Sequence, residues 1–128
     1  MNIEQIREHC IIKNGVTEEF PFDEDTLVFK VLGKMFLLIS VSDPGSFNVK
    51  CDPVLAVELR ERYPCVSPGW HMNKSKWNTV ELDGSVSDRV LREWIDHSYD
   101  QVVGGLPKYL QKELVSTHGV SVSGKTKK

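Results

Sequence analysis

Residues 27–50 read LVFKVLGKMFLLISVSDPGSFNVK, and the fold turns on them. Leu27–Leu32 and Met35–Val41 are apolar runs of strand length on either side of Gly33-Lys34. Two such runs joined by a Gly-containing pair predict a β-hairpin. Asp43-Pro44-Gly45 is a second turn signal, and Phe47–Lys50 predicts a further antiparallel strand after it.

Working outward, Asp52-Pro53 opens a helix that runs to about Tyr63. Asp is a good N-cap and Pro suits the first helical position. Leu55, Ala56 and Leu59 point inward, and Glu58 and Arg62 form an i,i+4 pair. Upstream, Asn2 to Lys13 is an amphipathic helix with Ile3, Ile6 and Cys10 on its apolar face, capped by Asn2 and ended by Asn14-Gly15. Glu18–Phe22 is a short strand. Downstream, Pro64 and Pro68 bracket a loop, and Trp77–Leu82 alternates as a strand up to Asp83-Gly84. Ser87 caps a long helix whose stripe is Val90, Leu91, Trp94, Ile95 and Val102. Gly104-Gly105 stops it, and Pro107 starts a last helix to about Val115. This order predicts an α+β two-layer sandwich, an antiparallel sheet with helices packed on one face. The domain spans residues 1–115, and residues 116–128 form a polar, basic, frayed tail.

The chain has 128 residues, enough for one domain that buries roughly two-thirds of its unfolded surface without metal or disulfide. Its three cysteines, Cys10, Cys51 and Cys65, include no CxxC pair and predict buried thiols in a reducing, cytoplasmic setting. No stretch approaches the roughly 20 apolar residues of a membrane span, so no membrane contact is expected. Net charge is −2, with no global attraction to nucleic acid. Residues 30–76, however, carry seven basic and four acidic side chains.

Chemical motifs are sparse. GxGxxG and GxxxxGK[ST] are absent, and Gly104-Gly105 follows a helix instead of preceding one. The four histidines have no HxxxH or HExxH spacing. Glu18, Glu19, Asp23, Glu24 and Asp25 form an acidic cluster that would attract a hard cation weakly and reads better as a solvated loop. Cys51 or Cys65 with His71 and Asn73 is the only Cys/His/Asn set, and its spacing favours no nucleophile. No cofactor, metal or enzymatic activity is expected.

Pro68–Asn78, PGWHMNKSKWN, stands apart. It packs Trp70, Trp77, His71, Asn73, Asn78, Lys74 and Lys76 into eleven residues. Single-stranded nucleic-acid sites combine aromatic platforms with a cationic groove. Trp70 is the candidate stacking group, His71 and Asn73 the hydrogen-bonding groups, and Lys50, Lys74 and Lys76 the phosphate contacts. Pro68, Gly69 and Trp77 are the structural anchors. Lysines 108, 112, 125, 127 and 128 add basic charge to the C-terminal end.

Three stretches resemble the MmcQ/YjbR family: FNVKCDP (47–53), LRERYPCVSPGWHMNKSKWNTVELDGSV (59–86) and IDHSYDQVVGGLPK (95–108). The positions that carry the resemblance are Lys50, Asp52, Pro68, Gly69, His71, Met72, Asn73, Lys74, Trp77, Ser98, Tyr99, Leu106 and Pro107. Trp70 stands where Tyr is common, and Lys76 where His is common. The second exchange replaces a titratable ring by a fixed charge and favours anion binding over catalysis. The resemblance implies a frataxin-like (CyaY-like) double-wing fold and a DNA-binding role through hairpin wings. The expectation is therefore a monomeric, non-enzymatic module that binds DNA, duplex or single strand. Two alternatives use other chemistry: a protein- or small-anion-binding module on the same surface, and a frataxin-like weak metal handler.

Overall fold

The structure is a computed structural model that describes residues 1–118, so the predicted tail lies outside the described residues from 119 onward. Its elements run α1 (Ile3–Ile11), β1 (Val16–Glu19), β2 (Thr26–Val31), β3 (Lys34–Ser40), β4 (Ser46–Lys50), α2 (Pro53–Arg62), β5 (Val66–Pro68), β6 (Trp77–Glu81), α3 (Asp88–Gly104) and α4 (Lys108–His118). The six strands form one antiparallel sheet in the order β1-β2-β3-β4-β6-β5. The α+β two-layer expectation is met.

The predicted hairpin is β2–β3. Its turn residues Leu32 and Gly33 have φ of 47° and 88°. Positive φ at both positions is the turn whose twist matches that of paired strands. The turn does not project as a wing. Leu32 N–H donates to the Gly15 carbonyl at 3.1 Å, and the Leu32 side chain packs on the core.

The register slips between Phe29 and Lys30, which face Leu37 and Met35, leaving Phe36 as the extra residue on β3. Both Phe36 and Leu37 are therefore turned into the core. The β3–β4 ladder stops at Leu37–Val49. Past that point Ser98 of α3, wholly buried, accepts from Lys50 N–H at 2.8 Å and donates to the Phe36 carbonyl at 2.6 Å. One hydroxyl thus satisfies two backbone groups that the bulge would otherwise strand.

The helices begin where their caps dictate. Asn2 and Gln5 exchange a reciprocal capping box at 2.8 and 2.9 Å. Asp52 accepts from Val54 and Leu55 N–H, both at 3.1 Å, and Ser87 from Val90 N–H at 3.3 Å. All four helices contribute to one cluster on one face of the sheet, through Ile6, Ala56, Leu59, Ile95, Val102 and Leu114. Asp96 of α3 fastens α1, taking His9 Nε2 at 2.7 Å and Lys13 Nζ at 2.5 Å. Tyr99 donates to the Asn14 carbonyl at 2.5 Å. Cys10, Cys51 and Cys65 are free and buried in this core, as expected.

Three local expectations fail. The strand placed at Glu18–Phe22 lies at Val16–Glu19, and Phe20 and Phe22 are 50% and 63% exposed. The cause is Asp23, whose Oδ1 accepts from Asp25 and Thr26 N–H at 2.9 and 2.6 Å and coils the chain away from the ladder. The Glu58–Arg62 pair does not form. Arg62 lies over the Tyr63 ring, 5.5 Å from its centroid. The last helix also continues to His118, past the predicted end near Val115. No helix of the described residues is long and apolar enough to cross a membrane.

Candidate nucleic-acid interface

With every described helix on one side, the opposite face of the sheet carries only a small apolar cluster. Val28, Leu38 and Trp77 are buried there, with Met35 and Met72 against them. The strand period puts Trp77, Thr79 and Glu81 on this outer face and sends Asn78 and Val80 inward. Likewise Phe47, Val49 and Cys51 are core, so Asn48 and Lys50 face outward. Trp77 is therefore buried on this face. It roofs the outer face, and the loop 69–76 crosses over it.

That loop is built by close approach. Pro68 ends edge strand β5, where its missing N–H is tolerated. Gly69 N–H donates to the Trp77 carbonyl at 2.8 Å. A Cβ on Gly69 would stand 2.7 Å from Trp77 Cβ and 3.1 Å from Met72 Cβ. Only glycine lets the chain pass so near the indole. A turn closed by Met72 N–H to the Gly69 carbonyl at 3.3 Å follows, with His71 at φ 59°. That left-handed conformation is uncommon for a residue with a side chain.

The turn presents Trp70, 70% exposed, with His71 edge-on to it at 5.2 Å and 85°. Trp70 N–H donates to Thr79 Oγ1 at 2.9 Å, and the Thr79 hydroxyl donates to Asn48 on the neighbouring strand. The backbone under the ring is thus tied to the sheet. Asn73 Oδ1 accepts from Ser75 N–H at 3.0 Å and Ser75 Oγ at 2.7 Å, so this oxygen shapes the loop. Lys74 Nζ donates to the Gly69 carbonyl at 2.9 Å and closes the loop's mouth. Lys76 is exposed, and Lys50 half-buried on the outer face beside Trp77 in register.

Arg60 also belongs to this loop, though no motif in the sequence marks it. From α2 its Nε donates to Asn78 Oδ1 at 2.7 Å, and its Nη2 donates to the carbonyls of Trp77, at 3.2 Å, and Lys74. Asn78, 1% exposed, also reaches the Ala56 carbonyl at 3.4 Å. A signal existed: the W-N-T-V alternation turns Asn78 inward with Val80, and a buried amide needs partners. Nothing local says that Arg60 supplies them.

The alternative chemistries find little. Cys51 and Cys65 sit in the core across the sheet from His71, so the Cys/His/Asn set is not assembled. Burial pushes the Cys51 thiol up to about 11. Burial also lowers the pKa of His97, whose Nε2 accepts from Asp52 N–H at 3.1 Å. A crevice bordered by Cys51, Asn78, Trp94 and His97 measures about 10 Å³. That is about one water's space; a hollow of ligand size, about 360 Å³, lies elsewhere, between Met1, Glu81, Val86 and Asp88. Among the described residues no group of three or more His, Cys, Asp or Glu is placed to hold a metal ion. Asp25 accepts from Ser40 Oγ at 2.5 Å and Ser42 N–H at 2.8 Å, fixing loops instead.

Comparison with known proteins places the chain in a family. The YjbR family model matches residues 12–101. The Escherichia coli K12 protein YjbR, described as uncharacterized, is 34% identical over 116 residues, covering 90% of this chain and 98% of that protein. YbdF of Escherichia coli O157:H7 is 38% identical over 96 residues, covering 74% of this chain and 79% of that protein. The crystal structure of the Deinococcus radiodurans protein DR2400 superposes with a TM-score of 0.84 at 38% identity, covering 99% of this chain and 96% of the other. A Pseudomonas syringae protein superposes at 0.66 and 25% identity, covering 77% of this chain and 96% of its own.

Proposed function

We propose that this chain, which belongs to the YjbR family, is a non-enzymatic module that binds nucleic acid through the loop 69–76 and the lysines beside it. One observation carries the reading. Trp70 is 70% exposed, yet its backbone is fixed to the sheet through Thr79, and the loop's foot is fixed by Lys74 and Arg60. An exposed indole on a tethered backbone, on the same outer side of the sheet as Lys76 and Lys50, costs less entropy to order when a base stacks on it than one on a free loop. Lys76, Lys50 and the remaining N–H groups of Lys74 supply phosphate contacts. His71 offers a ring nitrogen beside the stacked base, and Asn73 its amide N–H groups.

A CyaY-like relation of the fold, a monomeric state and a cytoplasmic setting belong to the same proposal. The metal-handling alternative has no three-ligand group among the described residues to rest on. A protein partner would also use an exposed Trp, and salt separates the two. Binding of a labelled oligonucleotide, followed by fluorescence polarisation, weakens steeply with salt. Each lost phosphate contact reduces the log–log slope by about 0.7–0.9. Replacing Lys50 and Lys76 by Ala lowers that slope by up to about two such steps. Absence of binding at low salt, or a slope untouched by the double substitution, removes the proposal.

A further inference from the structure

We infer that the nucleic acid is single-stranded and that it crosses the helix-free face of the sheet, perpendicular to the β-strands, at the lysine-bearing end. The inference rests on the nucleic-acid reading and adds to it the form of the ligand and its path.

The face itself is the first argument. Among the described residues no helix covers it; one row across it runs Val28, Leu38, Asn48 and Thr79, the first two buried with Trp77 against Met35 and Met72 and the last two half-buried. A helix-free antiparallel face with half-buried polar groups and an exposed aromatic at its margin accepts splayed bases. Trp70 offers its ring only to a base that is free of its own stack. In a duplex the base faces are hidden, and a reader of the major groove must insert a helix or a two-stranded ribbon. The β2–β3 hairpin is not free to do so, because its tip is tied to Gly15.

Charge fixes the direction. Register carries Lys30, opposite Met35, and Lys50, opposite Trp77, to one end of the face, and Lys76 precedes Trp77 at the same end. The other end holds Asp23, Glu24 and Asp43 in its loops and Glu81 opposite Ser46. A polyanion lying along the strands would run from lysines into carboxylates. Crossing from β6 to β2 it stays among lysines for three strand spacings, about 14 Å. Lys30 is held by Glu19 at 3.1 Å, so Lys50 and Lys76 are the main phosphate contacts.

The test compares four labelled ligands of equal length at low salt: single-stranded DNA, single-stranded RNA, the DNA duplex and an abasic strand. The expected order puts either single strand roughly ten-fold or more ahead of both the duplex and the abasic strand, with quenching of tryptophan fluorescence. Trp70→Ala lowers single-strand affinity about ten-fold, and Trp70→Phe restores most of it. Both changes are at an exposed side chain, and an unchanged melting temperature verifies folding. Lys50→Glu weakens binding, whereas Asp43→Lys at the opposite end leaves it unchanged. Duplex or abasic binding as tight as the single strand, or an affinity indifferent to Trp70→Ala, overturns the inference while the nucleic-acid reading survives. Strengthening by Asp43→Lys overturns the crossing path. Failure of all four ligands to bind removes both.

Discussion

Two loops of this molecule end in exposed aromatics, and they are held in opposite ways. The loop 20–25 carries Phe20 and Phe22 among carboxylates. Its shape is set by short-range contacts from Asp23 to Asp25 and Thr26, plus Asp25 to the neighbouring Ser40 and Ser42. The loop 69–76 carries Trp70 among lysines. It is held from three directions: Arg60 on α2, Thr79 on β6 and the buried contact of Gly69 with Trp77. An aromatic in water is not by itself a sign of use. What marks the second loop is that distant elements are committed to holding the backbone beneath its ring.

The largest test of that contrast is Arg60→Leu. It removes hydrogen bonds to Asn78, Trp77 and Lys74 and leaves the Asn78 amide buried without its charged partner. The expected loss is about 3 kcal/mol by denaturant unfolding, with faster amide exchange at residues 69–76. The same exchange at residues 20–25 is unchanged. If both loops loosen together, they are one cooperative unit and the contrast is wrong.

Next in size is Gly69→Ala set against Gly45→Ala. The first drives a Cβ to 2.7 Å from Trp77 Cβ, and the second meets nothing nearer than 3.6 Å. Overpacking at Gly69 costs about 2 kcal/mol, and the change at Gly45 stays within about 0.5 kcal/mol. Equal effects would mean that the loop can lift off Trp77 freely.

The smallest effect is a response to acid. Hydrogen bonds from the Thr26 and Asp25 amides lower the pKa of Asp23, and those from the Ser40 and Ser42 hydroxyls lower that of Asp25. A lowered carboxyl stabilises the fold above its unfolded pKa, and that contribution is lost as pH falls through the lower, folded value. Residues 20–25 and 42 therefore loosen below about pH 4. The loop 69–76 has no carboxylate and keeps its amide chemical shifts over the same range. Simultaneous shifts in both loops during an NMR acid titration would break the comparison.

Much of the fold was legible because its signals are local. Gly33-Lys34 marked the hairpin, Asp52-Pro53 and Ser87 the helix starts, and Gly104-Gly105 the end of α3. Phe20 and Phe22 misled, since two Phe residues resemble a strand while Asp23 decides the backbone. The segment 68–78 was legible as a distinct stretch by composition, and the alternation after Trp77 marked its strand. The division of labour inside it was not. Lys74 and Asn73 read as ligand contacts, yet each has an atom engaged in closing the loop. Their partners are a backbone carbonyl and a serine, which any sequence could offer.

The sequence by itself determined where the chain turns, which stripes are apolar and which eleven residues are unlike the rest. Those properties depend on φ preferences, caps and periodicity within a few residues of each position. Only the tertiary structure decided that every described helix lies on one face, so that the other is left for Trp77 and the loop above it. It alone brought Ser98 to the bulge at Phe36 and Arg60 to Asn78, across 62 and 18 residues of chain. A hydroxyl or guanidinium carries no mark of its partner until packing brings the two within hydrogen-bonding distance.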